Sequence, residues 1–232
     1  KDNKKIGGHL LADQLCANGV DTIFCVPGES YLGLMDGLYN HRDQIKLITT
    51  RHESGAANMA DAYAKLTSKP GICLVSRGPG ATNASNGIHT AFQDSTPLIL
   101  LIGQVSRNER EREAQQEIDY KEMFKPMAKY VAEINDADRI PEFISKAFYI
   151  SQSGRPGPVV LSLPEDMLTD QTTSRTTSAP DIFQSSPTKS AIANFYEKLK
   201  IAKRPIIIVG GNTWTKEAVI KLTKFVDENS IP

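Results

Sequence analysis

Apolar and polar positions along the chain switch between two rhythms. The first has helical spacing. Ile6, Leu10, Leu11 and Leu15 form one stripe and predict a helix over 6–18, ended by Gly19. The second is a short, dense apolar run. Thr22-Ile23-Phe24-Cys25-Val26 predicts a strand over 21–26, cut off by Pro27-Gly28. The alternation continues with a helix over 31–39, a strand over 45–50, an Ala-rich helix over 53–66, a strand over 71–76, a helix over 81–93 and a strand over 98–102. Leu98-Ile99-Leu100-Leu101-Ile102 is apolar at every position, as in a parallel-sheet strand covered on both faces. A polar stretch over 106–116 interrupts the rhythm. A short helix over 120–124, a strand over 129–134, a helix over 140–152 and a strand over 159–163 follow.

Repeated strand–helix–strand units predict an α/β domain with a doubly wound parallel sheet over residues 1–168. Residues 169–187 are aperiodic and rich in Thr, Ser and Pro, and read as an interdomain linker. Residues 188–232 read as the start of a second α/β domain: a helix over 190–202, a strand over 205–209, the turn Gly210-Gly211-Asn212 and a further helix. With one strand in about 45 residues, that unit cannot bury a core of its own and reads as truncated.

Composition removes several function classes. Lys+Arg and Asp+Glu both number 27 in 232 residues, so nothing draws the chain electrostatically to nucleic acid or an anionic membrane. No apolar run approaches the ~20 residues that span a bilayer. The leading Lys-Asp-Asn-Lys-Lys has no apolar core behind it, so a signal peptide is not expected. Cys16, Cys25 and Cys73 lack C-x-x-C spacing and read as small hydrophobes in a reducing cytoplasm.

Candidate chemistry falls at three strand-to-helix junctions: Val26-Pro27-Gly28-Glu29, Arg51-His52-Glu53 and Arg77-Gly78-Pro79-Gly80-Ala81-Thr82-Asn83. In a doubly wound sheet these loops converge on one edge, where helix amino termini point outward. A dinucleotide fingerprint fits the third poorly. Asn83 stands where the last glycine belongs, Pro79 separates the first two, and no acidic residue follows the next strand. By position alone Glu53 reads as a carboxylate stabilised by a helix dipole. The sharper reading is a carboxylate in a largely apolar cleft that hydrogen-bonds a ligand nitrogen. His52 reads as structural. The run Arg107-Asn108-Glu109-Arg110-Glu111-Arg112-Glu113 alternates charge and reads as a solvated face.

Taken together, Val26-Pro27-Gly28, Arg51-His52-Glu53 with Ala56 and Ala57, Gly78-Pro79-Gly80-Ala81-Thr82-Asn83, Asp94-Ser95-Thr96-Pro97, Gly103-Gln104-Val105, Gln116-Glu117 and Gly154-Arg155-Pro156-Gly157-Pro158-Val159 resemble the pyrimidine-binding domain of thiamine-diphosphate-dependent enzymes of the acetolactate synthase type. The resemblance covers nearly all of residues 5–168 in the family's order. It implies a subunit that decarboxylates a 2-oxo acid and transfers the acyl carbanion to a second carbonyl. The cofactor carries the carbon chemistry, and a glutamate shares a proton with N1′ of its aminopyrimidine ring. Glu53 matches that glutamate. Pro27, Gly28, Gly78, Pro79, Gly80 and Asn83 match the pyrimidine surround.

By itself Gln116 reads as a solvated loop amide; the resemblance makes it a catalytic glutamine that reaches the reacting carbons. It further implies Mg²⁺ held by a domain outside this chain, no metal ligands within it, FAD as an open second cofactor, and a homodimer or homotetramer. In the last, Ala56, Ala57, Met59, Ala60 and Ala62 would face a partner subunit. Three positions depart from the family pattern: Glu29, Arg77 and Gln115, where Gly, a small residue and Phe are usual. They leave the substrate open, and with it a simple 2-oxo acid decarboxylase, an aldehyde lyase or a non-catalytic cofactor-binding paralogue.

Overall fold

The computed structural model describes residues 4–183, 185–211 and 214–232, in two bodies that divide between Ile182 and Phe183. The first body contains β1 (Lys5–Ile6), α1 (Gly7–Ala17), β2 (Thr22–Cys25), α2 (Leu32–Tyr39), β3 (Lys46–Thr49), α3 (Glu53–Thr67), β4 (Gly71–Val75) and α4 (Pro79–Gln93). It continues with β5 (Leu98–Gln104), α5 (Tyr120–Phe124), β6 (Tyr130–Glu133), α6 (Ile140–Gln152), β7 (Pro158–Pro164), α7 (Glu165–Thr169) and β8 (Gln171–Thr172). Six strands form one parallel sheet in the order β3-β2-β4-β5-β7-β6. This is the doubly wound α/β architecture that the alternation predicts, with element ends shifted by a residue or two.

Period-two alternation divides the strand side chains between two cores. Ile72 and Leu74 of β4 and Ile99 and Leu101 of β5 face α1, α2 and α6, where Leu10, Leu34 and Ile144 meet them. Cys73, Val75, Leu98, Leu100 and Ile102 face α3, α4 and α5. That second face is built of alanines on the helix side: Ala56, Ala57, Ala60, Ala81, Ala84 and Ala91. Small residues let α3 and α4 approach closely. A Cβ added at Gly87 of α4 would stand 2.5 Å from the Ala57 Cβ. Ala56, Ala57 and Ala60 are therefore spent inside the chain, contrary to the partner-facing helix surface expected from their spacing; Met59 and Ala62 alone of the five point outward.

Part of the Thr/Ser-rich stretch is pinned to the first body. Gln171 and Thr172 pair antiparallel with Ile6 and Lys5. The Thr177 N–H donates to Gln14 Oε1 (2.9 Å), and Gln14 Nε2 donates to the Thr177 carbonyl (3.1 Å). Gln14 is fully buried, so its amide needs these partners, and a backbone segment supplies them.

The second body holds α8 (Lys189–Ile201) and α9 (Lys216–Asn229). The strand predicted over 205–209 does not form; Ile206, Ile208 and Val209 are exposed, and among the described residues the segment's one backbone–backbone hydrogen bond is the Ile207 N–H donating to the Pro232 carbonyl (3.0 Å). A single backbone hydrogen bond makes no ladder, and an apolar sequence without one does not hold a strand. Asn212, in the turn expected after it, lies outside the described residues. No helix among them is long and apolar enough to cross a membrane.

At the edge where the strands begin, Asp21 accepts hydrogen bonds from Lys69 Nζ (2.8 Å) and Tyr63 Oη (2.5 Å). Lys69 first, then Tyr63, hold its carboxyl down at about 2, against 3.8 unfolded. A depressed folded-state value contributes stability above the unfolded value and loses it as pH falls through the folded one. The denaturation midpoint should therefore drop between about pH 4 and pH 2, and Asp21→Asn should flatten that part of the curve. Urea midpoints measured across this window check it. A variant curve parallel to the wild type would contradict the pairing.

Candidate active site

Strand order decides where the loops meet. The chain steps from β2 outward to β3, then returns to the other side of β2 as β4. Loops after β2 and β4 thus leave in opposite directions from adjacent strands, which opens a crevice at this switch point. Both predicted loops border it. A Cβ on Gly28 would stand 2.7 Å from the Ser76 Cβ, so only glycine lets them touch. Ser30 Oγ and Ser76 Oγ lie 2.9 Å apart, and the Arg77 N–H donates to Ser30 Oγ (3.3 Å). Pro27 is exposed at the rim.

Glu53 is the first residue of α3, one strand further out. His52 is the N-cap, its Nδ1 accepting from the Ser54 N–H (3.2 Å), which is the structural role expected of it. Glu53 is partly buried. Asn83 sits in the second turn of α4, and its Nδ2 donates to Glu53 Oε2 at 2.9 Å. This charge-assisted bond, about 1.5–3 kcal/mol in general, sets the carboxylate's rotamer. Among the described residues Glu53 has no other hydrogen-bond partner, so Oε1 is free. On the α4 side that oxygen looks onto a position without a side chain: a Cβ on Gly80 would stand 3.5 Å from it. A free carboxylate oxygen beside a glycine turn suits a flat ring with a nitrogen to engage. The residues therefore fit a thiamine pyrimidine.

The turn that presents Gly80 is held by contacts with no local sequence signal. Gly78 caps α4 at φ +60°, ψ −113°, with Pro79 opening the helix. Its N–H donates to the Tyr120 hydroxyl (2.8 Å), 42 residues away. Burial pushes that hydroxyl's pKa up, which keeps it protonated. A Cβ on Gly78 would stand 2.6 Å from the Gln116 Cβ and 2.9 Å from its carbonyl oxygen. Gln116, at φ +68° and exposed, is therefore seated on the glycine turn. The structure brings Gly28, Glu53, Gly78, Gly80, Asn83 and Gln116 to one edge.

Sequence reasoning missed Tyr120, Ser30, Ser76 and Glu165. Glu165 follows β7 at the same edge, and the acidic pair Glu165-Asp166 after an apolar strand was the available signal. Arg77 Nη1 donates to Glu165 Oε2 (2.9 Å), and its Nη2 lies 3.4 Å from Glu29 Oε1. Two of the three unusual positions thus contact each other. The charged run is not simply solvated either. Arg107 pairs with Asp166 (2.8 Å) and Asp170 (2.7 Å), and Arg110 with Glu117 (3.0 Å), which ties the segment back to the sheet edge. Cys25 and Cys73 are buried and unpaired in adjacent strands, as expected. Among the described residues no group of His, Cys, Asp and Glu is placed to hold a metal.

A parallel sheet with glycine turns at its switch point and a helix-start carboxylate one strand away defines an α/β cofactor-binding domain. Residues 5–123, half of the chain, match the family described as "Thiamine pyrophosphate enzyme, N-terminal TPP binding domain". The chain belongs to that family. It is 36% identical over 235 residues to the acetolactate synthase large subunit of Haemophilus influenzae, covering 99% of this chain and 41% of that protein. It is also 36% identical over 230 residues to the large subunit of Lactococcus lactis (97% and 40%), and 34% identical over 230 residues to the acetolactate synthase of Bacillus subtilis (99% and 40%). The chain spans about two fifths of the length of these curated relatives.

Proposed function

We propose that the complete protein is a thiamine-diphosphate-dependent enzyme that decarboxylates a 2-oxo acid and adds the acyl unit to a second carbonyl compound. The observation that carries this reading is the state of Glu53: one oxygen fixed by Asn83, the other free beside Gly80. Glu53 Oε1 would share a proton with the ring nitrogen of the cofactor, while Gly28 and Gly80 let backbone approach the ring. Asn83 keeps the carboxylate aimed. When bound, the cofactor supplies a nucleophilic carbon that attacks a carbonyl group. Gln116, seated on Gly78, presents an amide at the rim where the second substrate would arrive. Mg²⁺ is assigned to ligands elsewhere in the complete protein, and the working unit to a homodimer or homotetramer.

The complete protein, supplied with thiamine diphosphate, Mg²⁺ and pyruvate, should release carbon dioxide and yield a product of two joined acyl units, read by mass. Free acetaldehyde as the sole product would make it a simple decarboxylase. No carbon dioxide from a panel of 2-oxo acids would leave the non-catalytic reading.

A further inference from the structure

The segment after β5 bends back toward the β4 turn and leaves a cavity of about 530 Å³ between them. Arg77, Glu109, Arg112, Gln115 and Glu165 line it, with Val105 and Ala114 as its apolar walls. It opens next to Gln116, whose Cβ rests against Gly78. The wall holds hydrogen-bonding capacity that the chain itself does not use. Arg77 is 13% exposed, spends Nη1 on Glu165 and Nη2 on Glu29, and keeps a buried Nε–H with no partner. A guanidinium has five N–H donors in a fixed fork, and Nη1 and Nη2 carry two each, so the two ion pairs leave N–H donors on the fork to face an acceptor from outside. Arg112 and Glu109 make no ion pair among the described residues, and Gln115 is exposed.

The chemistry of the occupant follows. An alkyl group would strip water from these polar groups and return no hydrogen bonds, which is unfavourable for each one buried. A carboxylate would add a charge to a wall whose two guanidiniums and two carboxylates already balance. A hydroxyl fits, because it accepts from an arginine N–H and donates to a carboxylate or amide oxygen at once.

We propose that this cavity takes the side chain of the second carbonyl substrate and selects one that bears a hydroxyl over an alkyl group of equal size, with Arg77 and Gln115 as specificity-determining residues. The proposal deepens the reading above and rests on it for the identity of the reaction. A site that hydrogen-bonds a substrate hydroxyl discriminates strongly against the analogue lacking it.

The test uses two acids matched in size, 3-hydroxy-2-oxopropanoate and 2-oxobutanoate. They are titrated calorimetrically into the complete protein without cofactor, where neither is consumed. The hydroxylated acid should bind about tenfold tighter or more. The ratio should fall toward one in Arg77→Met, which keeps the stem and loses the donors, and in Gln115→Leu. Gln115 is exposed, so its variant folds even if the arginine variant does not. Equal affinities in the wild type, no measurable binding of either acid, or an unchanged ratio in Gln115→Leu would each overturn the proposal. Carbon dioxide release from pyruvate is read separately. Its absence with the hydroxyl preference intact sinks the carboligase reading alone, whereas its presence without the preference sinks the pocket alone.

Discussion

Glu53→Gln in the complete protein is expected to slow deuterium exchange at C2 of bound thiamine diphosphate by ~10²–10⁴-fold, the usual share of a positioned acid–base group. The substitution keeps shape, and the new amide oxygen can still accept from Asn83 Nδ2, now 2.9 Å from Glu53 Oε2. Charge is lost, so that bond weakens from a charge-assisted to a neutral one, by roughly 1 kcal/mol. The thermal midpoint should therefore move by only a few degrees. If Glu53 is merely a carboxylate at a helix start, stability falls by under ~1 kcal/mol and exchange keeps its wild-type rate. The two readings separate on different axes, exchange followed by NMR after acid quench and a thermal melt beside it. Wild-type exchange in a folded variant would remove Glu53 from the site, and the roles of Gly80 and Asn83 with it.

Gly78→Ala should lower stability strongly. The backbone there, φ +60° and ψ −113°, lies in a region that residues with a Cβ scarcely enter, at about 1–3 kcal/mol. The added carbon would also stand 2.6 Å from the Gln116 Cβ and 2.9 Å from its carbonyl oxygen, so one of the two segments must move; overpacking of this kind adds about 1–3 kcal/mol. The shift would strain the Gly78–Tyr120 hydrogen bond as well. A loss of about 3 kcal/mol or more is expected in urea-induced unfolding. The adjacent Gly80→Ala serves as the control for stability, since its Cβ would meet nothing nearer than 3.5 Å. Equal midpoints for the two variants would mean that the Gly78 turn is not held against Gln116.

Much of the fold was legible because its signals are local. Helical stripes, all-apolar strands and Gly-Pro punctuation are properties of consecutive residues, and they located six of the seven first-body helices and all six strands of the parallel sheet. The exceptions are telling. β1 and β8 are two residues each, too short to show a period, and exist because each supplies the other's hydrogen bonds. The strand expected over 205–209 had the composition but no partner strand among the described residues. Periodicity reports which face is apolar and says nothing about who covers it. The same blindness put Ala56, Ala57 and Ala60 on an outer face when they lie in the core between sheet and helices.

By itself the sequence determined the class of fold and the placement of three candidate loops after strands, two of them marked by glycine and proline, while the family resemblance singled out Glu53. Loop position after a strand suffices for the placement, because parallel strands put all such loops on one edge. Only the tertiary structure decided which loops are neighbours. Strand order places β2 beside β4, and so Gly28 against Ser76. Close approach of α3 and α4 at Ala57 and Gly87 delivers Asn83 to Glu53, 30 residues away. Arg77 meets Glu165 across 88 residues. Such pairings carry no periodic signature, since they follow from packing every element at once and not from any stretch of chain taken alone.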